Sequence, residues 1–346
     1  MKSSTGMHNI LIIKPGAIGD VLQLTPVIRA LKSKYPDSEI TLLVGSASTA
    51  ELFRYNPSVR ETFVYDKRGE HKSIMSFFGL WKRLRTKQFD LVINFQRSNI
   101  RAWLLASAAF PCRILVYHKA RKRSVHAVVN HLDTLAPLGI SAANLDLELS
   151  PGPDARAFAR NLLSAFKASN RPIIALNPGA SHPLKQWGSG QFAALADILS
   201  KELSANIVIV GGSDDIALSE EIARYTVSRP LLLAGKLDLL QLGAVLEQCD
   251  VLVSGDTGPM HLATAVGTRV AGLFGSTDPA RTGPVGRGHR VIQAEGVPCV
   301  PCRSLTCQTA VYLECMKKLS PENVYDVIRD MLYEEKTFQR GATPMI

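Results

Sequence analysis

Val251-Leu-Val-Ser-Gly-Asp-Thr-Gly-Pro-Met-His261 decides how this 346-residue chain folds. Val251 to Val253 reads as a buried strand, Gly255 to Thr257 as a small polar junction, and the residues after it as a helix. A strand that ends in Gly and Asp and restarts as a helix leaves backbone N–H groups unpaired beside the positive end of the helix dipole. Such a junction attracts anions. Gly255 and Gly258 permit close backbone approach, and His261 lies about one turn in, facing the same mouth. Asp256 and Thr257 either cap the helix or touch a ligand, and the stretch alone fits an ordinary cap with a buried histidine equally well.

The same grammar recurs at Asn9-Ile-Leu-Ile-Ile-Lys-Pro-Gly-Ala-Ile-Gly-Asp20, which runs into the helical pattern Val21, Leu24, Ile28, Leu31. Gly16-x-x-Gly19 is not the dinucleotide fingerprint G-x-G-x-x-G, and no acidic residue stands where that fingerprint needs one, which disfavours a nicotinamide enzyme. Asp20 is either a helix cap or a carboxylate in the crevice where open α/β sheets hold their ligands.

Around these two junctions, strands and helices alternate. Strand patterns occupy 10–14, 40–44, 62–65, 91–94 and 114–117, with helices at 21–34, 73–86 and 99–109. A second series places strands at 173–176, 206–210, 231–233, 251–253 and 270–274, with helices at 190–203, 215–227, 238–248 and 259–266. Alternation predicts parallel sheets with crossover helices. The length exceeds one ordinary core, and Pro151-Gly-Pro-Asp154 and Asn170-Arg-Pro172 bracket a junction, so the expected domains are 1–160 and 161–346. No run of 18 apolar residues occurs and the N-terminus lacks a signal-peptide pattern, which gives a cytoplasmic expectation.

Charge is lopsided. Residues 1–150 hold 21 Lys and Arg against 11 Asp and Glu, a net +10, whereas residues 151–346 hold 19 of each. The excess gathers in Lys82-Arg-Leu-Arg-Thr-Lys87, in Arg97 and Arg101, and in His118-Lys-Ala-Arg-Lys-Arg-Ser-Val-His126, and it implies an anionic partner. Aromatic residues are sparse beside these cations and no recognition module appears, which argues against nucleic acid. A phosphorylated or carboxylated acceptor, at a membrane surface, fits better.

In the second domain, Asn177-Pro-Gly-Ala-Ser-His-Pro-Leu-Lys-Gln-Trp187 follows the first strand and offers Ser181, His182 and Lys185 to a phosphate, while Trp187 reads as a core anchor. Gly211-Gly-Ser-Asp-Asp215 ends the next strand; Asp215 is either an N-cap or a partner for ribose hydroxyls. Cys299, Cys302, Cys307 and Cys315 fall within a short segment whose spacing permits a structural zinc, although the second pair is wider than C-x-x-C. Cys112 and Cys249 read as buried apolar residues.

Taken together, Lys-Pro-Gly-Ala-Ile-Gly-Asp near the start, Asn-Pro-Gly-Ala-Ser with Lys-Gln-Trp, Gly-Gly-Ser-Asp, and Ser-Gly-Asp-Thr-Gly-Pro-Met-His resemble glycosyltransferase family 9, the ADP-heptose:lipopolysaccharide heptosyltransferases, over residues 9 to 332. The resemblance implies a GT-B architecture: two Rossmann-like, doubly wound α/β domains facing a cleft, the first binding the acceptor and the second, with its Cys-rich segment and C-terminal helix, the ADP-sugar. It implies inverting transfer to the lipopolysaccharide inner core with no catalytic metal, at the cytoplasmic face of the inner membrane. Asp20 falls on the family's general base and Lys185 on the lysine that meets the diphosphate. Ser181, Asp215, Leu237, Asp256, Thr257, Gly258 and His261 fall on donor-binding positions, Leu237 beside the adenine. For the acceptor, the basic residues Arg97, Arg101, Lys119, Arg121 and Arg123 are the candidates. Ala180 stands where some relatives hold a second hydroxyl, which leaves the donor sugar open. Other readings are a family 9 enzyme with another nucleotide sugar, an epimerase or hydrolase on the same scaffold, or a donor-binding protein without catalysis; retention of Asp20 and Lys185 counts against the last.

Overall fold

A computed structural model of the chain describes residues 7–67, 69–96, 100–117, 125–141 and 144–341. The chain divides into two compact units, Met1–Ser150 and Pro151–Ile346. This division lies ahead of the 160/161 boundary expected from sequence. The helix Pro153–Leu162 packs on the helix Leu239–Glu247, where the Arg156 guanidinium forks onto Glu247 at 2.8 Å, so it belongs wholly to the second unit.

The first unit is a five-stranded parallel sheet of β1 (Asn9–Ile13), β2 (Glu39–Val44), β3 (Glu61–Val64), β4 (Leu91–Asn94) and β5 (Arg113–Val116), in the order β3-β2-β1-β4-β5. The apolar run of β1 is continuous because helices cover both faces of such a sheet. Ile10 to Ile13 have no exposed surface at all. The helix expected from residue 21 to 34 is two: Ile18–Leu22, then Thr25–Lys34, which opens with Pro26 in its first turn, where a missing N–H costs nothing.

The second unit has β6 (Ile173–Asn177), β7 (Asn206–Ile209), β8 (Leu231–Leu232), β9 (Val251–Gly255), β10 (Arg269–Leu273) and β11 (Arg290–Ile292), all parallel, in the order β11-β10-β9-β6-β7-β8. Only β11 is absent from the sequence-based expectation. The C-terminal helix Pro321–Gly341 lies against the helix Ser189–Leu203 through Val324, Ile328 and Met331, one face at helical spacing. Trp187 is the anchor expected of it: its ring meets Phe192 edge-on at 5.0 Å and its Nε1 donates to the Leu319 carbonyl at 2.8 Å.

Both sheets therefore have the doubly wound order. Strand order reverses beside β1 and β4 in one unit and beside β6 and β9 in the other, and each reversal opens a crevice outside the carboxyl ends of the strands.

Candidate active site

In the second unit, β6 and β9 end side by side, with Asn177 opposite Ser254. The buried Asn177 amide donates to Ser254 Oγ at 3.0 Å and to Thr257 Oγ1 at 3.1 Å, and those two hydroxyls lie 2.9 Å apart. This network occupies the Thr257 hydroxyl, which would otherwise cap the helix Gly258–Ala265. That helix has no side-chain cap and carries Pro259 in its first turn, so its leading N–H groups remain available to an anion. Sequence left open whether Thr257 caps; the structure ties it to Asn177 instead.

Asp256 sits beside this terminus, 8% exposed. Lys185, on the loop after β6, donates from Nζ to Asp256 Oδ2 at 2.9 Å and to the Asp256 carbonyl at 3.1 Å. The loop passes directly over the end of β9: a Cβ at Gly255 would stand 2.9 Å from the Lys185 carbonyl. Two of the three ammonium donors thus hold the lysine in place, and the third suits an incoming oxyanion. His261 Nε2 lies 4.0 Å from the other Asp256 oxygen. Asp215 accepts from the Gly212 N–H at 2.8 Å as the last residue of the short helix Ser213–Asp215 and does not cap the helix Ile216–Tyr225 that follows, and its carboxylate packs so closely on Gly179 that a Cβ there would overlap it. Leu237 is half-buried in the turn after β8, which is joined to the Gly211 turn through the Gly235 N–H at 3.1 Å; Ser181 is exposed on the loop after β6.

In the first unit, Lys14 follows β1 directly, almost fully buried, and reaches Asp20 Oδ1 at 3.4 Å. Asp20 Oδ2 accepts from the Ala17 N–H at 3.3 Å, and its side chain is half exposed at the mouth of the β1/β4 crevice. Gly16 makes this possible, because a Cβ there would lie 2.8 Å from the Asp20 Cβ. Behind Lys14, Tyr117, Phe95 and His131 form an aromatic group with centroids 5.0 to 5.8 Å apart. Burial, reinforced by the Lys14 charge, pushes the His131 pKa down to about 3, so the ring stays neutral. Lys14, Asn177 and His131 received no role from sequence. For Lys14 and Asn177 the available signal was a polar residue closing an apolar strand run.

Arg101 is on the helix Ile100–Ala106 and donates to Tyr65 Oη at 3.4 Å. Arg97, Lys119, Arg121 and Arg123 lie outside the described residues. Cys299, Cys302, Cys307 and Cys315 line one cavity of about 220 Å³ together with Ser276 and Thr309. Burial and the neighbouring thiols push Cys315 up, whereas a hydrogen bond with Thr309 pulls Cys307 down. Among the described residues no three His, Cys, Asp or Glu side chains are placed to hold one metal ion, so a zinc here rests on the sequence spacing alone. Cys249 is buried, with its thiol raised to about 12 by desolvation, while Cys112 is only partly covered.

Residues 77–313 match the model of glycosyltransferase family 9 (heptosyltransferase). The chain belongs to glycosyltransferase family 9. It is 30% identical over 282 residues to lipopolysaccharide heptosyltransferase 3 of Escherichia coli K12, an alignment covering 75% of this chain and 80% of that protein. A family 9 glycosyl transferase from Veillonella parvula superposes with a TM-score of 0.84 at 23% identity, covering 96% of this chain and 99% of that one. The ADP-heptose lipopolysaccharide heptosyltransferase II of E. coli does so with a TM-score of 0.78 at 22% identity, covering 95% and 99%. These likenesses give the chain the GT-B fold, and family 9 membership makes it a glycosyltransferase.

Proposed function

We propose that this family 9 enzyme transfers heptose from ADP-heptose to the lipopolysaccharide inner core at the cytoplasmic face of the inner membrane, with inversion and without a catalytic metal. The observation that carries the reading is the uncapped terminus of Gly258–Ala265 beside Lys185, a preformed site for a diphosphate at the β6/β9 switch point. Lys185 bears the charge that builds on the departing ADP, and the amides at Thr257 and Gly258 hold its phosphates. Asp256 fixes Lys185, His261 and Ser181 meet the sugar and phosphate hydroxyl groups and oxygens, and Leu237 with Asp215 receives the nucleoside. Asp20 takes the proton of the acceptor hydroxyl, and the Lys14 ammonium beside it steadies its carboxylate. Arg97, Arg101, Lys119, Arg121 and Arg123 meet the phosphates and carboxylates of the acceptor.

Calorimetry with ADP, UDP and GDP, followed by turnover of ADP-heptose in the presence of EDTA and determination of the anomeric configuration of the product, tests the reading. ADP is expected to bind tightest, turnover to survive chelation and the anomer to invert. Tighter binding of UDP or GDP would overturn the donor, and retention of configuration would overturn the role of Asp20 as a base.

A further inference from the structure

The helix Ile74–Arg85 satisfies its inner face completely. Leu80 and Leu84 are buried, and Phe77 and Trp81 pack against the same core. Yet its outer face is apolar too: Ile74 is 75% exposed, Met75 86% and Phe78 59%. The neighbouring helix Ile100–Ala106 repeats the pattern, burying Ala102, Leu105 and Ala106 while leaving Ile100 75% and Leu104 49% exposed, with Trp103 beside them. The two helices pack together, and Trp81 Nε1 donates to Ser107 Oγ at 3.2 Å where the second ends. Large apolar side chains set at helical spacing on the solvent side of two adjacent helices mark an interaction surface.

Charge selects the partner. Along the first helix the outward stripe continues from Phe78 to Lys82, one turn on, so apolar and cationic residues share one side. Between His71 and Leu132 the chain carries twelve Lys and Arg and a single acidic residue, Asp90. We propose that this face docks on an anionic lipid bilayer: Ile74, Met75, Phe78, Ile100 and Leu104 enter the boundary between headgroups and acyl chains, while Lys82 and its neighbours meet lipid phosphates. An interfacial helix combines these two features in this way, and neither alone gives stable attachment. The inference deepens the proposed function, since an enzyme acting on a glycolipid works at such a surface, but its test needs neither donor nor acceptor.

The test is cosedimentation of the full chain with phosphatidylglycerol-rich vesicles and with phosphatidylcholine vesicles. Tryptophan emission with brominated acyl chains reports insertion. Binding is expected only to the anionic vesicles, with quenching that falls when Trp103 is replaced, Trp103→Phe. Met75→Ser combined with Phe78→Ser, both solvent-facing in the free protein, is expected to weaken partitioning at least tenfold, and Lys82→Gln about fivefold. Absence of binding to anionic vesicles overturns the proposal, as does binding that the Met75/Phe78 pair leaves unchanged. A dimer in sedimentation velocity that the same pair disperses would instead assign the face to a second copy of this chain. ADP calorimetry on the same variants keeps the two readings apart: an enzyme that fails to bind ADP but still partitions on vesicles loses the donor reading and keeps this one.

Discussion

Lys185→Met separates the structural part of Lys185 from its chemical part. In the folded chain its ammonium is 2.9 Å from Asp256 Oδ2, with the carboxylate side chain 8% exposed and the lysine side chain 24% exposed. Removing one partner of a buried pair costs about 3–5 kcal/mol; with a quarter of the lysine in solvent the expectation falls to about 2–3 kcal/mol. For a unit of this size that is a drop in Tm of roughly 5–10 °C. Adding Asp256→Asn removes the stranded charge, so the double variant is expected to return to within about 1 kcal/mol of the parent. ADP affinity should behave differently. A charge-assisted hydrogen bond to phosphate contributes about 1.5–3 kcal/mol, so Lys185→Met loses roughly 10- to 150-fold in Kd, and the double variant stays equally weak. Thermal unfolding and calorimetry with ADP on the parent, both single variants and the double form a closed cycle. If the double variant regains affinity together with stability, Lys185 serves only as the counterion of Asp256 and the diphosphate site is wrong.

Four more outcomes follow from the first unit. Asp20→Asn is expected to keep ADP binding and lower kcat by a factor on the order of 100 to 10,000, and near-normal turnover would leave Asp20 as a helix cap. Gly16→Ala, whose Cβ would stand 2.8 Å from the Asp20 Cβ, should displace that carboxylate and lower kcat about 10- to 100-fold with ADP affinity intact; an unchanged kcat means the position of Asp20 does not matter. His131 has a folded pKa of about 3 against about 6.5 when unfolded, so the unfolded chain binds the extra proton between those values and stability falls as pH drops through that window. Urea unfolding from pH 7 to 5 should show a loss of about 2 kcal/mol from this group that His131→Gln abolishes; parallel profiles would refute it. Arg121→Ala with Arg123→Ala is expected to raise the acceptor KM and flatten its salt dependence, whereas a parallel fall in ADP affinity would place these arginines with the donor.

Strands were legible because the parallel sheets bury both faces, which turns each strand into an apolar run such as Ile10-Leu-Ile-Ile13. β11 escaped notice for the opposite reason: it is a three-residue edge strand of which only Ile292 is buried. The helix Pro153–Leu162 buries little more than Ala155 and Ala159, too small a signal to say which unit it serves, and so the sequence places the boundary at 160/161 where the contacts divide at 150/151. At the site, residue types could be read but not pairings. Lys185 and Asp256 are 71 residues apart and meet only because β6 and β9 are neighbours in the sheet, a consequence of strand order that no local pattern encodes. The Lys14–Asp20 pair is local, yet it depends on the Pro15-Gly16 turn folding back, and Lys14 by itself looked like the last residue of a strand.

The two strand-turn-helix junctions show how one local grammar reaches opposite ends. In the first, Asp20 folds back to accept from the Ala17 N–H at the head of the helix, and what faces solvent is a carboxylate steadied by a buried lysine. In the second, Asn177 draws the Thr257 hydroxyl down into the sheet, no side chain caps the helix, and Asp256 is turned toward Lys185 rather than outward. The difference lies in the residue closing the strand before the crossover, lysine in β1's continuation and asparagine in β6. A lysine there can only donate, and so recruits a carboxylate; an asparagine amide spans two hydroxyls and takes the cap away. The first junction thereby presents a carboxylate and the second an open helix terminus, which on the proposed reading serve as the base and the phosphate cradle that displacement of a phosphorylated leaving group by an alcohol requires.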